Sequence, residues 1–258
     1  MLATKFFPPV VPVQMVDRLH LRGRVTAVAD LPRPLTLVSA PAGYGKSLFV
    51  SHWLQQQPHP FAWLSLDSAD DQPIRFFTCF TTALRRLDES YTVDLFATLQ
   101  AGHLPPPDAL VPALSNEMLA WQGPHILVLD DFHHIQDSLI LDLLAALLAQ
   151  QPPRFHLVLA TREDPPLPLA RWRARGQLTE LRATDLRFSE AETDQFLRQG
   201  LGLALFAANV TRLTERTEGW PAGLQLAGMR YHVKGLSSKL GVEKQIQAVE
   251  RGRDLGLL

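Results

Sequence analysis

The sequence predicts an α/β fold: a doubly wound parallel sheet, followed by a small all-helical domain and a helical C-terminal tail. Three observations carry that expectation. Short, almost wholly apolar runs such as "PLTLVSA" (34–40) and "HILVLDD" (125–131) suit strands buried on both faces of a parallel sheet. Between such runs lie amphipathic stretches long enough to serve as crossover helices. After Thr184 the alternation stops, and only segments of helical period remain.

Taken in order, residues 1–33 read as an extended, proline-punctuated segment with one short helical patch around 16–28. The first strand, 34–40, leads into a helix over 46–57 that Pro58 stops. "FAWLSLD" (61–67) is a second strand. The helix after it, 73–88, shows an apolar face of Phe76, Phe77, Phe80, Leu84 and Leu87. Prolines at 105–107 mark a loop before a helix over 109–121. The third strand, 125–131, is followed by a helix over 139–150 and a fourth strand, "FHLVLAT" (155–161). A proline-dense loop, 164–168, precedes a weaker strand at 178–181. Beyond it, "FSEAETDQFLRQ" opens on a capping box of Ser189 and Glu192, and helices are expected over 209–217 and 222–229. The expected organisation is an extended segment 1–33, an α/β domain 34–184, a helical lid 185–229 and a tail 230–258.

Composition narrows the function classes. Lys plus Arg (25) nearly cancels Asp plus Glu (26), so no global charge draws the chain onto a polyanion or an anionic membrane. A single cysteine, Cys79, excludes an internal disulfide and a multi-cysteine metal site, and the nine histidines show no metal-binding spacing. The longest apolar run, 139–148, is broken by Asp142 and falls short of the roughly 20 residues that span a bilayer. Prolines follow Lys5 where a signal peptide needs an apolar helix. A cytoplasmic protein with no membrane partner is expected.

Chemistry concentrates after the first strand, in "SAPAGYGKSLF" (39–49). A strand, a glycine-rich turn and a helix make a phosphate cradle, because the turn's amides wrap a phosphate chain and the helix N-terminus adds positive dipole character. The cradle spans Ala40, Pro41, Ala42, Gly43, Tyr44, Gly45, Lys46, Ser47 and Leu48. Gly43 and Gly45 allow close approach, Lys46 reaches the terminal phosphates, and Ser47 can hold Mg²⁺. The P-loop pattern G-x-x-x-x-G-K-[ST] wants glycine where this chain has Ala40. "LVLDD" supplies the carboxylate that a magnesium site needs: Asp130 ends an apolar strand and emerges at the sheet's C-terminal edge. Asp131 can orient or deprotonate an attacking water. "LATRED" ends the fourth strand in the same way and puts Arg162 at that edge, either reading a γ-phosphate or pairing with Glu163 or Asp164. His133 and His134 are assigned to loop or core packing.

The segments "APAGYGKS", "WLSLDSADD", "LVLDDFHHI", "LVLATRED" and "RTEGWPAGLQLA" occur in that order. From about residue 2 to 228 the chain resembles the nucleotide-binding module of MalT-like regulators, large LuxR-type proteins among the signal-transduction ATPases with numerous domains. The resemblance implies an ATP-binding P-loop core with a helical lid, working as an ATP/ADP switch that favours self-association. It implies Lys46 and Ser47 as phosphate and magnesium ligands, Asp130 as the second metal residue, Asp131 as the water-activating carboxylate and Arg162 as a sensor arginine. In "GWP", Pro221 matches a proline that packs near the nucleotide base, the alternative being a proline that simply starts a helix. Arg18 matches a position near the adenine loosely.

The tail 230–258 resembles the last two helices of a LuxR-type helix-turn-helix, and its six basic residues against three acidic could meet phosphates. A recognition helix needs a preceding helix to set it across the DNA backbone. That half, and the sensor region between, are missing from the pattern, so a regulator without its middle is expected. Weak DNA contact is the most that such a tail offers, and a plain helical hairpin is the alternative. Two other functions fit less of the sequence: a P-loop hydrolase or kinase acting on a small substrate, and a small DNA-binding protein.

Overall fold

The computed structural model describes residues 3–26, 34–89, 91–119, 121 and 123–240, with side chains as far as 230. The described residues form two compact units, 3–11 with 18–186 and 12–17 with 187–240. In the first unit, helix α1 (Leu19–Thr26) precedes strand β1 (Leu35–Ser39) and α2 (Lys46–Gln55). β2 (Phe61–Ser65), α3 (Pro73–Arg85), α4 (Val93–Gln100) and α5 (Pro107–Leu119) follow. β3 (His125–Asp130), α6 (Ser138–Gln150), β4 (Phe155–Thr161), α7 (Leu169–Ala174), β5 (Leu178–Arg182) and the short α8 (Ala183–Leu186) complete it.

The five strands are parallel in the order β2-β3-β4-β1-β5. Side chains alternate across a strand, so each apolar strand feeds two cores. Leu127 and Leu129 of β3 and Leu157 and Leu159 of β4 join the helices α3 to α7 on one face. Ile126, Val128 and Val158 join Leu21 of α1 and Phe49, Val50, Trp53 and Leu54 of α2 on the other. Each large apolar side chain so buried contributes about 1.5–3 kcal/mol.

The predicted strands all form, each ending within two residues of its expected bound. Three helices of the first unit were not expected: α4, α7 and the single turn α8 that directly follows β5. α4 lies in a stretch without helical punctuation and starts behind Thr92, whose φ is 54°. α7 follows the proline-dense loop and is held by Leu169 and Trp172 buried in the larger core. The expected break near residue 229 is also not seen.

In the second unit, α9 (Glu190–Gln195) begins with the expected capping box: the Ser189 hydroxyl accepts from the Glu192 amide and the Glu192 carboxylate from the Ser189 amide. α10 (Ala207–Thr217) and α11 (Pro221–Leu240) follow, and α11 runs unbroken through 229–230. Leu197, Val210, Leu213 and Leu224 form this unit's own core. Of the extended segment, residues 1–2 and 27–33 lie outside the described residues; of the expected helix-turn-helix remnant, so do 241–258.

Candidate functional site

The turn between β1 and α2 is shaped by two left-handed glycines, Gly43 at φ 80° and Gly45 at φ 74°. A side chain would strain either position. Ala40, where the pattern asks for glycine, is not among the described residues with positive φ. It is buried in the smaller core, and its amide donates to Thr161 O of β4 at 3.2 Å. No glycine is needed there. Tyr44 packs against the same core. The first helical bond of α2 runs from Phe49 N to Gly45 O at 2.8 Å, so the amides of Lys46, Ser47 and Leu48 precede it without a helical partner.

Lys46 is 7% exposed and curls back on its own turn, its Nζ donating to Ala40 O at 2.8 Å and Pro41 O at 3.1 Å. Burial lowers its pKa, and the charges of Asp131 and Asp130 oppose that shift. Because β4 lies between β1 and β3, those strands are two steps apart, roughly 10 Å. Even so, Ser47 Oγ donates to Asp130 Oδ1 at 2.9 Å, so the turn carries the start of α2 across the end of β4. Burial pushes Asp130 up to about 6, against the pull of the Ser47 hydroxyl.

Asp131 follows with φ 55°, and its amide donates to Asp130 Oδ1 at 3.0 Å. That left-handed step separates the two carboxylates. Asp130 stays buried beneath Ser47, while Asp131 faces a cleft of about 260 Å³. The cleft is lined by Ala42, Gly43, Gly45, Lys46, Ser47 and Leu48 from the turn and α2, with Asp131 after β3 and Arg162 after β4. Arg162 is exposed, and no hydrogen bond or ion pair holds it among the described residues. The alternative pairing with Asp164 is taken by another arginine: Arg182 of β5 bridges Asp164, which also accepts from Ser39 Oγ at 3.0 Å. These two bonds fix the segment that presents Arg162. Sequence reading gave Ser39 and Arg182 no role, because their shared partner, Asp164, is 125 and 18 residues away.

Six predicted residues are not in the cleft lining: Ala40, Pro41 and Tyr44 belong to the same turn and Asp130 lies beneath Ser47, while Arg18 and Pro221 come from elsewhere in the chain. Arg18 is buried, with Nη1 donating to Leu186 O at 2.8 Å and Nη2 to Asp185 O at 3.1 Å. Pro221 is the first residue of α11, in the second unit. Two residues before it, Gly219 has φ 67°, and a Cβ there would lie 2.4 Å from Phe188 O.

No family model matches the chain. The HTH-type transcriptional regulator MalT of Yersinia enterocolitica is 33% identical over 229 residues, which cover 89% of this chain and 25% of that protein. Over that stretch the chain is a homologue of MalT. MalT of Serratia proteamaculans matches to the same extent, and the homologue spans about a quarter of the length of these relatives. Among solved structures, a Walker-type ATPase of Pyrococcus abyssi aligns with TM-score 0.57 and 15% identity over 97% of this chain and 75% of its own. Cdc6p of Pyrobaculum aerophilum aligns with TM-score 0.53 and 16% identity over 92% and 66%. These likenesses establish that the MalT homologue has the fold of P-loop ATPases. Among the described residues, no helix is long and apolar enough to cross a membrane.

Proposed function

We propose that this chain is the ATP- and Mg²⁺-binding switch module of a MalT-type transcriptional regulator, hydrolysing ATP slowly at most. The observation that carries the reading is the pair of cations at one cleft. Neither Lys46 nor Arg162 has a carboxylate within ion-pair distance among the described residues, and Lys46 is buried. A buried cation is expensive unless an anion meets it. The cleft volume lies below the roughly 300–1,000 Å³ of whole small-molecule pockets, which suits a phosphate chain whose base is held elsewhere. Within the unit that holds the cleft, Arg18 is the residue the resemblance offers for the base.

Ser47 and Asp130 fit a magnesium ion by donor type: one hydroxyl and one carboxylate, already converged on each other, leave room for the waters Mg²⁺ retains. When bound, Mg²⁺ would neutralise charge on the phosphate oxygens. Lys46 would exchange a carbonyl for a phosphate oxygen, the α2 amides would wrap the chain, and Arg162 would face its far end. Asp131, half exposed in the cleft, would hold the attacking water. Regulation through self-association, a cytoplasmic location and a weak DNA contact by residues 230–258 belong to the same reading, and the likeness to HTH-type transcriptional regulators supports the regulatory context.

The test is to denature purified protein, identify any released nucleotide by chromatography, and titrate ATP calorimetrically into nucleotide-free parent and Lys46→Ala. Loss of a charge-assisted contact should weaken ATP binding more than tenfold (about 1.5–3 kcal/mol) with the circular dichroism unchanged. Equal affinities would overturn the site.

A further inference from the structure

Arg162 is followed at once by two carboxylates, Glu163 and Asp164. Two residues of chain span at most about 7 Å, within an arginine's reach, so nothing in the spacing keeps Asp164 off Arg162. The fold sends Asp164 elsewhere. Strand register sets Ser39, the last residue of β1, beside Thr161 of β4 and beside Arg182 of β5, so three strand ends stand in one row. Asp164 Oδ1 reaches across that row, accepting from Ser39 Oγ at 3.0 Å and pairing with Arg182 Nη1. Thr161 and Pro165, both buried, hold the two ends of the exposed stretch 162–164, and Thr161 Oγ1 donates to Glu163 O at 2.8 Å.

The side chains of Asp164 and Arg182 are 48% and 32% exposed, and a lone ion pair so exposed is weak. Arg182 is not alone. Its Nη2 pairs with Glu180, which Arg173 grips at 2.7 and 2.8 Å. That network has already ordered the Arg182 side chain, whereas the exposed Arg162 would lose rotamer freedom to make the same pair. The Arg182 guanidinium, helped by the Ser39 hydroxyl, holds the Asp164 pKa below its ordinary value. We propose that Arg182 is a positioning residue for the cleft: by occupying Asp164 it leaves Arg162 unpaired and available to a third phosphate, and so sets how strongly the site prefers a nucleoside triphosphate to the diphosphate. This rests on the nucleotide reading above. Arg182 is not in the cleft lining and acts through Asp164 alone.

The test is to titrate ATP and ADP calorimetrically, with Mg²⁺, into nucleotide-free parent, Arg182→Met, Asp164→Asn and the double variant. In Arg182→Met the released Asp164 should capture Arg162 and weaken ATP binding about 3- to 10-fold with ADP unchanged. Adding Asp164→Asn removes the competing charge but keeps an acceptor for Ser39, so the double variant should recover the parental ATP affinity. A purely structural ion pair gives the opposite pattern, since the double variant lacks it as fully as the single one. Asp164→Asn alone breaks the same pair without freeing a carboxylate and should keep the parental ratio of ATP to ADP affinity. An unchanged ATP affinity in Arg182→Met, an equal fall for both nucleotides, no recovery in the double variant, or a lowered ratio in Asp164→Asn overturns the proposal. Parent protein that binds ATP and ADP equally also sinks it while sparing the nucleotide reading. Absence of ATP binding sinks both.

Discussion

At φ 55°, Asp131 occupies a backbone region that aspartate tolerates better than bulkier residues. The sequence shows two adjacent carboxylates after an apolar strand, and their proximity to the glycine-rich turn was legible from the motif pair alone. What the sequence does not show is the turn of backbone that buries one and exposes the other, because that depends on a left-handed step no residue type announces. Asn shares the aspartate tolerance for this conformation, so Asp131→Asn should keep both fold and nucleotide. Removing the carboxylate proposed to hold the attacking water should slow hydrolysis by at least about 10²-fold. Equal rates in single-turnover assays would remove Asp131 from the step. Ala40 teaches the converse: the motif asks for glycine, and the backbone at this position does not.

Strands were the most legible elements, since a run such as 155–161 is apolar throughout and buried throughout. The side-chain lattice beyond their ends was not, because its partners come from different strands. Glu180 of β5 is gripped by Arg173 of α7, with Nε and Nη2 at 2.7 and 2.8 Å, and by Arg182. Arg173 and then Arg182 hold its pKa down to about 2, from an ordinary 4.5. A depressed carboxylate stabilises the fold fully above its unfolded pKa. That stabilisation fades as pH falls from 4.5 toward 2, where the unfolded chain binds the extra proton. Glu180→Gln should therefore lower the urea midpoint at pH 6 and lose less than the parent between pH 4.5 and pH 2.5. Parallel losses in the two proteins would show that the pair is too well screened to count. In the helical unit, "GWP" was legible as a helix start, whereas the reason for its glycine was not. Gly219→Ala would combine a left-handed φ with overlap onto the Phe188 backbone. A destabilisation of roughly 1–3 kcal/mol is expected, read as faster amide exchange across α10 and α11.

Across the whole molecule, the chain passes between its two units after residues 11, 17 and 186. Arg18 stands directly after the second passage, and its guanidinium binds the carbonyls of Asp185 and Leu186, directly before the third. One side chain thus ties together, within the first unit, the point where the chain re-enters it and the point where it finally leaves it. Nothing in the spacing of 167 and 168 residues could have revealed this, and the resemblance pointed Arg18 toward the nucleotide base instead. The two roles separate experimentally. Truncation to alanine removes charged donors from buried carbonyls, so Arg18→Ala should cost about 2–4 kcal/mol of stability. Arg18→Lys should recover little of it, since an ammonium lacks the planar fork that spans both carbonyls. If the pin is structural, ATP affinity measured calorimetrically well below the unfolding transition stays at the parental value in both variants. If Arg18 instead supports the base, the affinity drops while the urea midpoint holds. The buried guanidinium, already committed to two carbonyls at 2.8 and 3.1 Å, favours the first outcome.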